Sequence, residues 1–291
     1  MDFVLFSRVF RALCSVGAVS TKKKATRKAA SAYTARTADK HELYQLSVQA
    51  VDHELDFIEK VYRNLYKARP LLLREDFCGT ALFSAHWAKS HPERHAVGVD
   101  ISKETLAWGQ ERNVDPLGEA KSRVKLLCED VRQKRKEKHQ VINAMNFSYS
   151  VFRTRADMRE YFASVKRSLV REGMFVLDAY GGWESQQPMQ EPRKVAQGFT
   201  YVWDQNKFDP ITHEVLNYIH FEFKDGTKMD KAFTYEWRYW TLPELRELLI
   251  EAGFSSVRVY WDVAPDDEEE NYKVLTKAEN QPGWLAYLVA F

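Results

Sequence analysis

Residues 71–102, LLLREDFCGTALFSAHWAKSHPERHAVGVDIS, limit the fold more than any other part of the chain. The apolar run Leu71, Leu72, Leu73 gives way to charge, Phe77-Cys78-Gly79-Thr80 marks a tight turn, an Ala-rich helical stretch covers 81–89, and a second apolar run, 96–99, ends at Asp100. That is strand, turn, helix, strand. A turn built on Gly79 lets the backbone approach a ligand closely. A carboxylate ending the next strand, 21 residues later, is placed to accept both ribose hydroxyls of an adenosine.

The alternation continues with a helix over 103–112, strands over 124–127 and 141–146, an amphipathic helix over 157–170 and a strand over 174–179. Such a rhythm predicts an α/β fold: a doubly wound, mostly parallel sheet with helices on both faces and its ligand at the carboxyl ends of the strands. Upstream, Leu43, Leu46, Val51, Leu55, Ile58, Val61, Tyr62 and Leu65 recur at three- and four-residue intervals, which reads as one or two helices. Downstream the pattern changes. Segments 199–204, 215–223 and 231–238 are rich in aromatic and β-branched residues, with turn signals at Asp209-Pro210 and Asp225-Gly226, and predict an antiparallel insertion over about 183–238. A helix over 242–252, capped by Thr241 and stopped by Gly253, precedes two closing strands, 256–263 and 284–291, with the acidic run 266–270 between them.

The charge balance hides an asymmetry. Residues 1–40 hold nine Lys/Arg and two acids, +7, whereas the remainder is −5 and makes a poor footprint for a nucleic-acid-binding domain. The first forty residues read as a basic disordered arm or as a targeting segment, since Phe3, Phe6, Phe10 and Leu13 recur at helical spacing among arginines; a nuclear-localisation reading of 22–28 is a third option. No window approaches 18 unbroken apolar residues, so no membrane-spanning helix is expected. Three cysteines without CxxC spacing argue against a disulfide framework or a structural zinc and for a reducing, intracellular setting, cytoplasmic or, with a transit peptide, mitochondrial or plastid. No metal site is expected.

The string REDFCGTA resembles the first motif of the class I, Rossmann-like, S-adenosylmethionine-dependent methyltransferases, an acidic residue followed by a GxGxG-like turn. Glu75 takes the acidic position, and Phe77 and Ala81 replace the family's first and third glycines. Asp100, Glu129-Asp130-Val131 and Asn146-Phe147-Ser148 follow in the order of the family's later motifs. The resemblance covers roughly residues 71–180. It implies a seven-stranded sheet whose last strand is antiparallel, with the insertion as a cap over the carboxyl ends and residues 41–291 as the methyltransferase domain. It also implies S-adenosyl-L-methionine as cofactor, with Glu75, Phe77, Cys78, Gly79 and Thr80 around its methionine part, Asp100 on the ribose, Ile101 and Leu106 sandwiching the adenine, Asp130 and Val131 on the adenine edge, and Asn146 and Phe147 in the fourth motif. Arg74 is a candidate for the methionine carboxylate, and Tyr44 for closing over the cofactor.

An NAD-binding reading lacks the GxGxxG fingerprint, and Phe77 would crowd a pyrophosphate. Methyl transfer from a sulfonium is a direct displacement that needs alignment and exclusion of water. A base helps where the acceptor carries a proton. His220 is the first candidate, on a strand face shared with Tyr218 and Glu222, and Tyr235 and Tyr239 are alternates; the cap aromatics are a candidate cage for a cationic amine. The leading expectation is methylation of N or O of a small-molecule acceptor. RNA is the runner-up, through the arm and the tract Arg132, Lys134, Arg135, Lys136 and Lys138. A non-catalytic scaffold with a degenerate pocket is the third. The oligomeric state is not legible in the sequence.

Overall fold

Short apolar strands separated by helices have one economical arrangement, and the chain adopts it. The structure, a computed structural model, describes residues 33–264 and 270–291. Strands β1 (Leu72–Asp76), β2 (His95–Asp100), β3 (Val124–Cys128), β4 (His139–Ala144) and β5 (Leu169–Gly181) pair in parallel. Strand β12 (Trp284–Ala290) runs antiparallel to both β5 and β10 (Val257–Asp262). An eighth strand, β11 (Tyr272–Leu275), adds to the edge, so the order is β11-β10-β12-β5-β4-β1-β2-β3. The sheet therefore has one strand more than the seven expected. Four residues beside an acidic run carry too little apolar signal to be seen.

Helices α1 (Lys40–Val48), α2 (Val51–Tyr66) and α3 (Leu82–Ser90) contribute to a core with the sheet face bearing Leu73, Val141, Val176 and Tyr287. Helices α5 (Arg155–Ser168) and α6 (Leu242–Glu251) cover the other face against Ile142, Phe175, Leu177 and Leu288. Helix α4 (Lys103–Gly109) is shorter than its sequence pattern and passes into a π turn over Gln110–Val114 and 3-10 turns over Asp115–Arg123.

The insertion is a separate four-stranded antiparallel sheet: β6 (Met189–Val195), β7 (Phe199–Phe208), β8 (Glu214–Phe223) and β9 (Lys228–Arg238). Its first strand went unseen because MQEPRKV is polar and contains a proline, both of which an edge strand tolerates. Inward residues Phe199, Tyr201, Trp203, Ile219, Phe221 and Trp237 join the same core as α2. Residues 1–32 of the basic arm and 265–269 of the acidic loop lie outside the described residues. Residues 33–40 belong to the body rather than to an arm: Tyr33 packs on Phe199, and Asp39 caps α1 while accepting the Trp108 indole N–H at 2.8 Å.

Strand alternation sends Arg74 and Asp76 to the α5 face, both fully buried. The guanidinium is bidentate to Asp76 (2.6 and 2.8 Å) and donates to the Val131 carbonyl (3.0 Å), while the Tyr161 hydroxyl donates to Asp76 (3.0 Å). A buried pair that loses one partner leaves an uncompensated charge, so Asp76→Asn should cost about 3–5 kcal/mol. Denaturant unfolding measures this, and an unchanged midpoint would show that the pair contributes nothing.

Candidate active site

The loop after β1 takes three left-handed steps, at Phe77 (φ 56°), Gly79 (φ 51°) and Ala81 (φ 55°). These are the three positions at which the resembled family carries glycine, so the turn keeps its path although two glycines are gone. Neighbouring groups hold it there. The Cys78 amide donates to the Val99 carbonyl (3.0 Å) and the Gly79 amide to Asp100 Oδ2 (2.9 Å); Thr80 Oγ1 accepts from Gln45 (2.7 Å) and its carbonyl from Asn113 (2.8 Å). Two glycines make room for the loop: a Cβ on Gly109 would lie 2.3 Å from the Thr80 carbonyl oxygen and one on Gly98 2.9 Å from Cys78 Sγ. The Phe77 ring anchors among Phe152 and Tyr161. Above Gly79 there is space: a Cβ added there would meet nothing nearer than a Thr105 methyl at 4.0 Å.

Along the carboxyl ends of β2 and β3, Asp100 accepts the amides of Gly79 and Ser102 (2.8 Å), one on each oxygen, and stays partly exposed. Ile101, 77% exposed, offers an apolar surface beside it. Leu106 does not face that surface; it is buried with Cys78 and Ala81 under the loop, because α4 turns its apolar side to the sheet. Val131 is buried, and Asp130 is held by the Arg132 side chain and backbone amide. Arg74 is not free to take a carboxylate, since strand pleating buries it in its pair with Asp76. Glu75, on the opposite face, lies beneath the loop and accepts the Ser84 amide and hydroxyl (2.9 and 2.5 Å); burial pushes its carboxyl up to about 7.

At the end of β4, Asn146 and Phe147 are both left-handed (φ 57° each). Their amides donate to the two oxygens of Asp178 (2.8 and 2.9 Å), a buried carboxylate of β5 that burial raises to about 7 against the pull of those amides. The Tyr180 ring lies 4.6 Å from Phe147. Sequence reading missed Asp178, Glu54 and Asn143. For the first two a signal was present: an acid within the apolar run MFVLDAY, and a glutamate on the apolar stripe of α2 between Val51 and Ile58. Glu54 is buried and raised to about 8, by burial first and then by the charges of Asp178, Glu75 and Glu270.

The cap closes over this end of the sheet. Tyr44, Asn146, Phe147, Tyr201, Trp203, Tyr235 and Trp237 wall a cavity of about 20 Å³, with Val48 and Ile219 completing it. Tyr44 and Tyr235 hydrogen-bond to each other across it. Tyr239 instead packs on Tyr180 at 5.6 Å and lines a wider cleft of about 740 Å³ with Trp183, Trp261, Trp284 and Arg246. His220 is not in the cavity: alternation in β8 turns Ile219 and Phe221 inward and His220 outward, where it meets Asp204 (3.1 Å) and Asp230 (2.6 Å) and accepts the Lys231 amide. The face it shares with Tyr218 and Glu222 is the outer one, which removes it as a base for this cavity.

Residues 77–173 match the family model described as a methyltransferase domain. No curated protein matches the chain. Among solved structures, an S-adenosylmethionine-dependent methyltransferase from Clostridium acetobutylicum ATCC 824 is 16% identical with TM-score 0.62, covering 86% of this chain and 96% of that one. An S-adenosylmethionine-bound amino pentose methyltransferase from Micromonospora echinaspora is 15% identical with TM-score 0.61, covering 86% and 96%. A sugar N-methyltransferase from Streptoalloteichus sp ATCC 53650 is 13% identical with TM-score 0.59, covering 94% and 98%. The fold is that of class I methyltransferases. The matched domain and this fold together support an enzyme of the methyltransferase type with S-adenosylmethionine as cofactor.

Glu54, Glu75 and Asp178 all hold their protons more tightly folded than unfolded, so the stability they contribute is full below their ordinary values of 3.8 to 4.5 and is lost progressively as pH rises from there through 7 to 8. The melting temperature should fall between pH 5 and about 8.5, and Glu54→Gln should flatten that fall and melt above wild type at the alkaline end. A Glu54→Gln profile parallel to that of wild type would show that Glu54 is ionised at no cost.

Proposed function

We propose that this enzyme transfers the methyl group of S-adenosylmethionine to a nitrogen of a small molecule seated beneath the cap. The observation that carries this reading is the aromatic cavity set directly on the Asn146–Phe147 loop. When bound, S-adenosylmethionine supplies an electrophilic sulfonium methyl, and the protein's task is to align an acceptor with it and exclude water.

The residues present fit that cofactor. Asp100 uses each carboxylate oxygen once, leaving lone pairs for a ribose diol; exposed Ile101 offers a face for adenine; the open side of Gly79 is a cradle that a side chain would fill. Asn146 Oδ1 is buried without a partner at the same edge. Tyr44, Trp203, Tyr235 and Trp237 line the cavity, and aromatic rings attract a cationic amine. That the sugar N-methyltransferase and the amino pentose methyltransferase share the fold favours nitrogen on a polar small molecule. An RNA acceptor has less support: Arg132 is paired with Asp130, Asp157 and Glu160, and Arg135 with Glu129, so much of the basic tract is neutralised locally.

Calorimetric titration with S-adenosylhomocysteine should show saturable binding and titration with NAD none. Asp100→Ala should weaken the former about tenfold or more, some 1.4 kcal/mol, with folding retained. Failure of the wild type to bind S-adenosylhomocysteine would overturn the reading and favour a scaffold.

A further inference from the structure

Beneath the aromatic cavity lies a layer of polar side chains that the methyl donor does not require. Register places Asn143 beside Glu75, on the sheet face that also carries Asp178. Asn143 is 1% exposed, and neither its amide nitrogen nor its carbonyl oxygen has a partner. Glu54 enters from α2 and is 5% exposed; its carboxylate has no hydrogen bond among the described residues. Asp178 is fixed by the two amides of the loop that lines the cavity. Tyr44, on the cavity wall, feels the charges of both Asp178 and Glu54.

Among the described residues, no basic side chain is one of the groups that act most on Glu54. The charged groups acting on Glu54 are Asp178, Glu75 and Glu270, and Asp178 also acts on the neutral Tyr44, Tyr149 and Tyr287. His53, on the same helix as Glu54, pairs with Glu270 at 2.9 Å, and Arg193 of the cap donates to the Ser47 carbonyl. No grouping among the described residues has the spacing to hold a metal ion. Buried carboxylates without a counter-ion, with an unpartnered amide among them, are complementary to a ligand that brings positive charge and several N–H donors. That description fits an ammonium group, and a metal fits it poorly.

Resting on the methyltransferase reading above, we propose that Glu54, Asn143 and Asp178 receive the acceptor as a protonated amine and that Glu54 takes its proton. An ammonium nitrogen has no lone pair and cannot displace anything. As its N–H bond breaks, an O–H bond forms on the Glu54 carboxylate. The freed pair then forms the new N–C bond while the C–S electrons return to sulfur. Positive charge moves from sulfur to the methylated nitrogen, which keeps its place beside the carboxylates. Before the amine enters, burial holds a proton on Glu54 up to about pH 8; the entering ammonium displaces that proton to water, and the carboxylate so paired can then take the amine's proton. Asp178 is a positioning residue: it fixes the Asn146–Phe147 loop over the site and adds charge to it.

The test uses methylammonium as probe and methanol as its uncharged control, titrated calorimetrically into the full chain preloaded with S-adenosylhomocysteine. Wild type should bind methylammonium saturably and methanol not at all. Glu54→Gln, nearly isosteric and checked for cooperative melting, should weaken methylammonium about tenfold or more while S-adenosylhomocysteine binds as in wild type. In Asn143→Leu a milder loss is expected. The same affinity for methylammonium in wild type and Glu54→Gln, or no binding in wild type, would overturn the inference while leaving the cofactor reading intact. The cofactor's own amine is the other source of an ammonium. If Glu54→Gln weakens S-adenosylhomocysteine but not methylthioadenosine, which lacks the amino-acid part, the layer serves that amine and the proposal is wrong. Loss of S-adenosylhomocysteine binding by wild type itself would sink the methyltransferase reading instead.

Discussion

Between β1 and α3 the backbone must turn sharply enough to leave strand ends open to a ligand, and it does so through left-handed steps at Phe77, Gly79 and Ala81. A side chain in that conformation costs roughly 1–2 kcal/mol per residue, so the path persists only because its surroundings over-determine it. Asp100 binds the middle amide, Gln45 and Asn113 hold Thr80, and the bare Cα atoms of Gly98 and Gly109 let strand and helix press against the loop. The Phe77 side chain repays part of its strain by packing with Phe152 and Tyr161 on the α5 side. The neighbouring loop after β4 repeats the device with Asn146, Phe147 and Asp178. Two strained turns on adjacent parallel strands thus frame the site.

The cap supplies what the sheet cannot. Parallel strand ends give a cleft open to water, and an antiparallel sheet with an aromatic inner face covers it. Because Phe199, Tyr201, Trp203 and Ile219 join the core built on α2, the cap is packed as part of the domain. The cavity beneath it holds about 20 Å³, room for roughly one water molecule. The acceptor proposed above therefore needs the cap or α1 to move, and Tyr44 with Tyr235 and Phe233, His41 with Phe233, and Arg193 with the Ser47 carbonyl are contacts that bridge them. Closure of this kind excludes water and completes the site, as lids do in other enzymes.

Most of the central sheet was legible because its strands are apolar runs punctuated by Gly, charge and Ala-rich helices. Strand β5, read as 174–179, was found with its partners because MFVLDAY is hydrophobic on both faces. Two of the four edge strands escaped notice: β6 with Pro192 and β11 with four residues have no periodicity to detect. Asp100, Ile101 and the loop after β1 lie at the strand ends where the motif order expects them, since those positions depend on where strands stop. Arg74 and Leu106 were misjudged because burial, which sequence does not give, commits one to Asp76 and the other to the core. His220 failed on a parity question: alternation gave its facemates correctly, but only the docking of the cap decides which face looks inward. Asp178 and Glu54 were visible as acids in apolar contexts; that they converge is a property of the fold.

The account stands or falls on where the adenosine lies against the β2 end. A crystal structure with S-adenosylhomocysteine should place both ribose hydroxyls within hydrogen-bond distance of Asp100, with Phe77 and Ala81 still left-handed and the homocysteine part over Gly79. Adenosine bound elsewhere, or a loop that relaxes out of the left-handed path to admit it, would contradict the claim that this strained turn is the cofactor's seat.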